Sequence, residues 1–177
     1  TMSTTGATHP NRSGPVIVAR NLARRFGDVV AVDDLSFSVD AGRVVGLLGP
    51  NGAGKTTTVN MMTTLLSMDD GSAAVGGFDV ATQPDQVRRL IGLAGQSAAV
   101  DEKLTARENL ELFGRLYKMP RQDRPRRAAE LLDRFDMAEF ADRVVGTYSG
   151  GQRRRLDVVA ALVADPPALF LDEPTTG

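Results

Sequence analysis

The stretch GPNGAGKTT, residues 49–57, constrains the fold of this chain more than any other feature. Its spacing, with glycines at 49 and 54 followed by Lys55 and Thr56, is typical of a phosphate-binding loop between a strand and a helix. Glycines let the backbone approach a polyphosphate and adopt positive φ, and the following helix directs N–H groups and partial positive charge at it. We therefore predict that Lys55 contacts the β- and γ-phosphates and stabilises their charge, and that Thr56 binds Mg²⁺. The predicted cradle comprises Gly49, Pro50, Asn51, Gly52, Ala53, Gly54, Lys55, Thr56 and Thr57.

Hydrophobic periodicity predicts the strand and the helix that this loop requires. The apolar run from Arg43 to Leu48 indicates a buried strand, and Val59, Met62 and Leu66 fall on one face of a helix. Further β-rich runs occur at 16–18, 29–39, 72–75 and 90–94, and at 168–171. The predicted fold class is α/β: a P-loop NTPase core with a mixed sheet and flanking helices.

A helical subdomain is predicted to interrupt this core. Thr105 and Glu108 have the spacing of a capping box. Helical patterns follow from Ala106, over 127–136 and from Gly150. We expect a disordered tail over 1–14, a nucleotide-binding core over 15–97 and 165–177, and a helical subdomain over 98–164.

Composition excludes several classes of protein and site. The 177 residues have a net charge of -1, 42% hydrophobic residues and no cysteine, which excludes disulfides and thiolate metal sites. No apolar run approaches the roughly 18 residues needed to cross a bilayer, so we expect an intracellular protein. The single histidine, His9, lies in the polar tail and is not expected to be catalytic.

The segment from Arg115 to Arg127 has six basic residues and one acidic residue. A solvated helical face explains it better than a nucleic-acid or lipid patch, because Tyr117 is its only aromatic residue. No direct contact with nucleic acid is expected.

Two adjacent carboxylates end the apolar run ALFL at 168–171. In open α/β sheets, ligands bind at the carboxyl ends of the strands. Neighbouring strand residues face opposite sides, so we expect Asp172 to face Mg²⁺ and Glu173 to orient the attacking water. An acidic turn after a core strand is the structural alternative.

Ser149, Gly150, Gly151 and Gln152 begin the last predicted helix. Two interpretations fit this pattern. The helix N-terminus is a potential second anion cradle, and the serine is equally an ordinary N-cap. The residues alone favour the N-cap.

Taken together and in this order, GPNGAGKTT, Gln96, YSGGQRRR and LFLDEPTTG resemble the ATP-binding subunit of ABC transporters. They are similar to its Walker A, Q-loop, signature and Walker B motifs. The resemblance implies that Phe26 stacks on adenine and that Gln96 is a catalytic and metal-sensing residue. It also implies that Ser149 to Gln152 face the γ-phosphate of ATP bound by a second subunit. Longer stretches, such as TYSGGQRRRLD, resemble the sequences of daunorubicin/doxorubicin resistance exporters in particular.

Two departures from this family pattern stand out. Tyr148 replaces the usual leucine before Ser149, which should matter little for phosphate contact. The chain ends at Gly177, directly before the family's D-loop, and has no histidine after His9 to serve as the switch residue. The sequence is therefore expected to be truncated after Walker B and to hydrolyse ATP poorly.

The resemblance implies an ATPase subunit that powers drug or lipid export. Its expected cofactors are ATP and Mg²⁺. Its expected partners are a second ATP-binding subunit, as a homodimer, and an integral membrane permease, at the cytoplasmic face of the membrane. The alternatives are a non-transporting relative acting on ribosomes or DNA, and a fragment that binds ATP without hydrolysing it.

Overall fold

A computed structural model describes residues 14–95 and 99–172. The chain forms two compact units, 1–87 and 88–177. The predicted domains, a core over 15–97 and 165–177 and a helical subdomain over 98–164, are divided differently from these two units and stay a prediction. Within the described residues, no helix combines the length and the apolarity needed to cross a membrane. Gln96, Glu173 and His9 lie outside the described residues.

The first unit is built on a four-stranded antiparallel sheet of order β2-β1-β3-β4. Its strands are β1 (Pro15–Phe26), β2 (Val29–Asp40), β3 (Asp70–Val75) and β4 (Phe78–Asp79). The turn between β1 and β2 contains Gly27 at φ 57°. The sheet core is formed by apolar side chains from β1, β2 and β3, namely Ile17, Ala19, Leu22, Val32, Ala73 and Val75.

Helix α1 (Lys55–Met62) packs on strands β2 and β3 of this sheet. Its side chains Val59, Met61 and Met62 are buried. The predicted helical face is thus confirmed up to Met62. It is wrong at Leu66, because the helix ends at Met62 and the chain turns at Thr64 with φ 65°.

The strand predicted over 43–48 is wrong as well. Within residues 14–95 and 99–172, no strand pairs with this segment, and Val44 and Leu48 are 99% and 95% exposed. An apolar run records a tendency to be buried, but a strand exists only where neighbours supply its ladder of hydrogen bonds. The run therefore has no sheet partner in the described part of the molecule.

The second unit contains a pair of parallel strands, β5 (Ile91–Ala94) and β6 (Ala168–Leu171). Their register places Ile91 opposite Ala168 and Ala94 opposite Leu171. A Cβ on Gly92 would lie 2.3 Å from the carbonyl oxygen of Ala161, so a glycine is needed for the close approach at this point. Both strands match the predicted runs, and helix α2 (Pro84–Leu90), which the sequence did not predict, precedes β5.

Three helices form the core of the second unit: α3 (Ala106–Leu116), α4 (Arg124–Arg134) and α5 (Gly150–Ala161). The predicted capping box is confirmed, since Thr105 Oγ1 accepts from the Glu108 amide and Glu108 accepts from the Thr105 amide. The helices share a fully buried apolar core, whose larger members are Leu110, Leu131, Leu132, Met137, Val145, Leu156 and Val159.

Candidate functional site

The glycine loop at 49–54 has the backbone that its sequence predicts. Gly52 and Gly54 have φ values of 83° and 79°, in the left-handed region that favours glycine. A Cβ on Gly54 would lie 2.2 Å from the carbonyl oxygen of Ala31 and 3.0 Å from Cγ2 of Val32. The glycine at 54 therefore lets the start of α1 lie directly against β2.

Lys55 folds back over the beginning of the loop. Its Nζ donates to the carbonyl oxygens of Gly49, at 2.9 Å, and Pro50, at 2.8 Å. The Ala53 amide donates to the Pro50 carbonyl at 3.2 Å, which closes a turn over residues 50–53. A single ammonium group thus lies at the mouth of a loop built from backbone.

The N-terminus of α1 has no side-chain cap, because its N-cap residue is Gly54. The first N–H groups of any α-helix have no acceptor within the helix, and the helix dipole favours an anion there. The first intrahelical bond of this end runs from the Thr58 amide to the Gly54 carbonyl, at 2.8 Å. These features fit a polyphosphate, and Thr56 follows Lys55 in this same first turn.

Phe26 lies at the end of β1, and its side chain is 48% exposed. It pairs with Val29 across the hairpin, and Val29 is two residues before Ala31, against which Gly54 packs. The Arg24 guanidinium carbon lies 5.1 Å from the centre of the Phe26 ring. Phe26 is therefore a surface residue and not a core residue. It lies beside the same end of β2 against which the glycine loop packs.

In the second unit, Asp172 directly follows β6 and is 7% exposed. Its amide donates to the Ala94 carbonyl at 2.9 Å, which ties it to the end of β5. Within the described ranges, no group of three or more histidine, cysteine or acidic residues is arranged to hold a metal. Mg²⁺ usually needs only one or two protein carboxylates beside waters and phosphates, so the single carboxylate of Asp172 is compatible with a Mg²⁺ site.

Ser149 is the N-cap of α5. Its Oγ accepts from the Gln152 amide at 3.2 Å, and Gln152 Oε1 accepts from the Ser149 amide at 2.9 Å. The N-cap interpretation is thereby confirmed for the isolated chain, while Gly150 and Gly151 form the first turn. A contact with a second subunit's nucleotide stays a prediction.

Tyr148 has a structural role that the sequence did not reveal. Its hydroxyl donates to the Phe140 carbonyl at 2.6 Å, and its ring meets the Phe140 ring edge-on at a centroid distance of 5.2 Å. The side chain is 4% exposed. Tyr148 therefore anchors the chain immediately before Ser149.

Helix α5 also has two charged side chains that the sequence did not single out, Arg154 and Asp157. The Asp157 side chain is 2% exposed, and burial raises the pKa of its carboxyl above the ordinary value, against the lowering effects of the Ala99 amide and Arg154. No sequence signal indicated this burial beyond the position of Asp157 beside the core residue Leu156.

Comparison with known proteins identifies relatives over most of the chain. A family model described as ABC transporter matches residues 32–176. The chain is 53% identical to a daunorubicin resistance ATP-binding protein of Streptomyces coeruleorubidus, over 93% of the chain and 51% of that protein. It is also 53% identical to a doxorubicin resistance ATP-binding protein of Mycobacterium tuberculosis, over 85% of the chain and 46% of that protein. The chain thus spans about half the length of these curated relatives.

Solved structures agree with this likeness. An ATP-binding subunit of an ABC transporter superposes with a TM-score of 0.80 at 28% identity, over 90% of the chain and 67% of that structure. A dimeric ATP-binding cassette in a post-hydrolysis state with ADP and Pi gives 0.77 at 28% identity, over 90% and 74%. The predicted P-loop NTPase fold is confirmed by these neighbours.

Proposed function

The chain belongs to the ABC transporter family, as an ATP-binding domain, and from this premise we propose that it binds ATP with Mg²⁺ and acts as the ATPase subunit of a drug exporter. The daunorubicin and doxorubicin resistance proteins among its relatives support this class of function. The observation that carries the proposal is the position of Lys55, whose ammonium lies at the mouth of the glycine loop against the Gly49 and Pro50 carbonyls.

Several groups of the chain share the proposed binding of ATP and Mg²⁺. Backbone N–H groups over 49–57 surround the phosphates, and Lys55 exchanges its carbonyl partners for β- and γ-phosphate oxygens. Phe26 offers an exposed aromatic face to the adenine. Thr56, Gln96 and Asp172 are the residues that would hold Mg²⁺, and the ion would supply neutralisation of the phosphate charge.

Hydrolysis depends on positioning and electrostatics in this class of reaction. Glu173 orients the attacking water, and Lys55 with the loop amides stabilises the charge that develops on the γ-phosphoryl oxygens. Ser149, Gly150, Gly151 and Gln152 of a second copy complete the site from the N-terminus of its α5. The dimeric structure among the solved neighbours supports this arrangement. We place the pair at the cytoplasmic face of the membrane, on a separate permease subunit.

The test compares Lys55→Ala with Lys103→Ala, a matched loss of one exposed lysine. Losing a charged hydrogen-bond donor should weaken ATP binding by about 10- to 100-fold, because such bonds are worth roughly 1.5–3 kcal/mol. Lys103→Ala should bind ATP like the unaltered chain. Affinity is measured by calorimetric titration with Mg²⁺·ATP. Equal affinities of the two variants would contradict the proposed site.

A second variant separates binding from chemistry. Glu173→Gln keeps the size of the side chain but removes the carboxylate that orients water, so it should retain ATP affinity and lose ATP turnover. Release of inorganic phosphate measures the turnover. A Glu173→Gln protein that turns over ATP at the rate of the unaltered protein would rule out this assignment.

A further inference from the structure

Arg154 on helix α5 joins the carboxyl ends of β5 and β6. Its Nη2 donates to the carbonyl oxygen of Asp172 at 2.7 Å, and its Nη1 donates to the carbonyl oxygen of Gly95. Gly95 directly follows β5, and Asp172 directly follows β6. One guanidinium thus fixes the backbone at the ends of both strands.

Asp157 completes this arrangement one turn further along α5. Its Oδ1 accepts from the Ala99 amide at 2.7 Å, and its Oδ2 lies 3.5 Å from Nη1 of Arg154. The two side chains are 2% and 15% exposed, and Oδ2 accepts no hydrogen bond within the described residues. We call Arg154 and Asp157 the α5 ion pair.

A buried ion pair is weak evidence for a stabilising role, because the desolvation of two charges can exceed their mutual attraction, whereas losing one partner leaves a costly buried charge. The geometric consequence is clearer than the energetic one. The pair specifies where Gly95, Ala99 and Asp172 lie relative to the helix that begins at Ser149.

We propose that Arg154 and Asp157 are positioning residues for Mg²⁺-dependent ATP turnover, through the backbone contacts that hold the end of β6 and its Asp172. This inference rests on the proposed function, since it assigns a cause to the orientation of a predicted metal-binding carboxylate. Partners behind a metal ligand typically change metal affinity or activity by about 10- to 100-fold when they are removed. The contacts that support this role run from the Arg154 guanidinium to the backbone carbonyls of Gly95 and Asp172, and from Asp157 to the Ala99 amide. The proposed effect on the metal is therefore one of positioning.

The experiment measures the Mg²⁺ concentration at half-maximal ATP turnover, using Mg²⁺ alone as the titrant. Asp157→Ala should raise that concentration about 10-fold. At saturating Mg²⁺, the KM for ATP should be unchanged while kcat falls. Asp157→Asn should behave more like the unaltered protein, because its amide oxygen still accepts from the Ala99 amide. The matched control is Asp142→Asn, an exposed aspartate paired with Arg107 in the same unit, which should leave the Mg²⁺ dependence unchanged.

Amide hydrogen exchange provides a readout that does not depend on activity. Asp157→Ala should abolish the protection of the Ala99 amide, whereas Asp142→Asn should preserve it. If Asp157→Ala does not fold, Arg154→Lys replaces it, because a lysine keeps the charge but reaches only one of the two carbonyls. Arg154→Lys should raise the Mg²⁺ requirement in the same way.

The outcomes separate the two proposals. A folded Asp157→Ala or Arg154→Lys protein with the Mg²⁺ dependence of the unaltered protein would overturn the positioning role alone. If the unaltered protein neither binds nor turns over Mg²⁺·ATP, the proposed function fails and this inference fails with it. A shifted Mg²⁺ requirement with unchanged KM for ATP supports both.

Discussion

Gly54 offers the sharpest test of how the phosphate-binding loop is built, because Gly52 is a matched control in the same loop. Both glycines have φ near 80°, so an alanine at either position takes the same left-handed conformation. That conformation costs a non-glycine residue about 1–2 kcal/mol. The two sites differ only in their surroundings.

The surroundings predict different costs. A Cβ at Gly52 meets nothing within 4 Å, whereas a Cβ at Gly54 would lie 2.2 Å from the Ala31 carbonyl oxygen. The start of α1 must therefore recede from β2 by about 1 Å to reach ordinary van der Waals contact. Overpacking of this kind adds about 1–3 kcal/mol. Gly52→Ala should lower the free energy of unfolding by about 1–2 kcal/mol, and Gly54→Ala by roughly 2–5 kcal/mol.

Urea denaturation measures the stability difference, and calorimetric titration with Mg²⁺·ATP measures the functional one. A misplacement of about 1 Å in a positioned site can cost about 100-fold in rate, so Gly54→Ala should also impair ATP binding or turnover far more than Gly52→Ala. Two variants with the same stability and the same ATP affinity would refute the idea that close packing of the loop on β2 forms the site.

The remaining predictions concern Tyr148 and Asp157. Tyr148→Phe removes the hydroxyl that donates to the Phe140 carbonyl and leaves that carbonyl the Arg143 amide as donor. The loss should cost about 1 kcal/mol and lower Tm by about 2–4 °C; Tyr117→Phe, at an exposed position, should not change the melting temperature. A Tyr148→Phe protein with the melting temperature of the unaltered protein would show that this hydrogen bond does not stabilise the fold. Because the pKa of Asp157 is raised, its carboxyl stays protonated to higher pH in the folded protein than in the unfolded chain, where the ordinary value is 3.8. The proton-linked contribution of this carboxyl to the free energy of unfolding is therefore fully present below pH 3.8. It is lost as pH rises through the pKa of the folded protein. Asp157→Asn, compared with the unaltered protein by urea denaturation across that window, should gain relative stability as pH rises; a constant difference would contradict the buried state of the carboxyl.

Local chemistry was readable from the sequence. The glycine loop, the capping box at Thr105 and the cap at Ser149 depend on residues no more than five positions apart, so their spacing was enough to predict them. The same holds for β5 and β6, whose apolar runs matched the observed strands.

Long-range contacts were decided by the tertiary structure alone. The apolar run at 43–48 has the composition of a strand, yet pairing depends on what other segments bring beside it, and periodicity does not contain that information. Arg154 contacts carbonyls 59 and 18 positions away, and Asp157 contacts an amide 58 positions away. The sequence by itself predicted the glycine loop and its Lys55, because these groups are neighbours in the chain. Only folding determined which side chains hold Asp172 in place, because their partners become neighbours when α5 packs against β5.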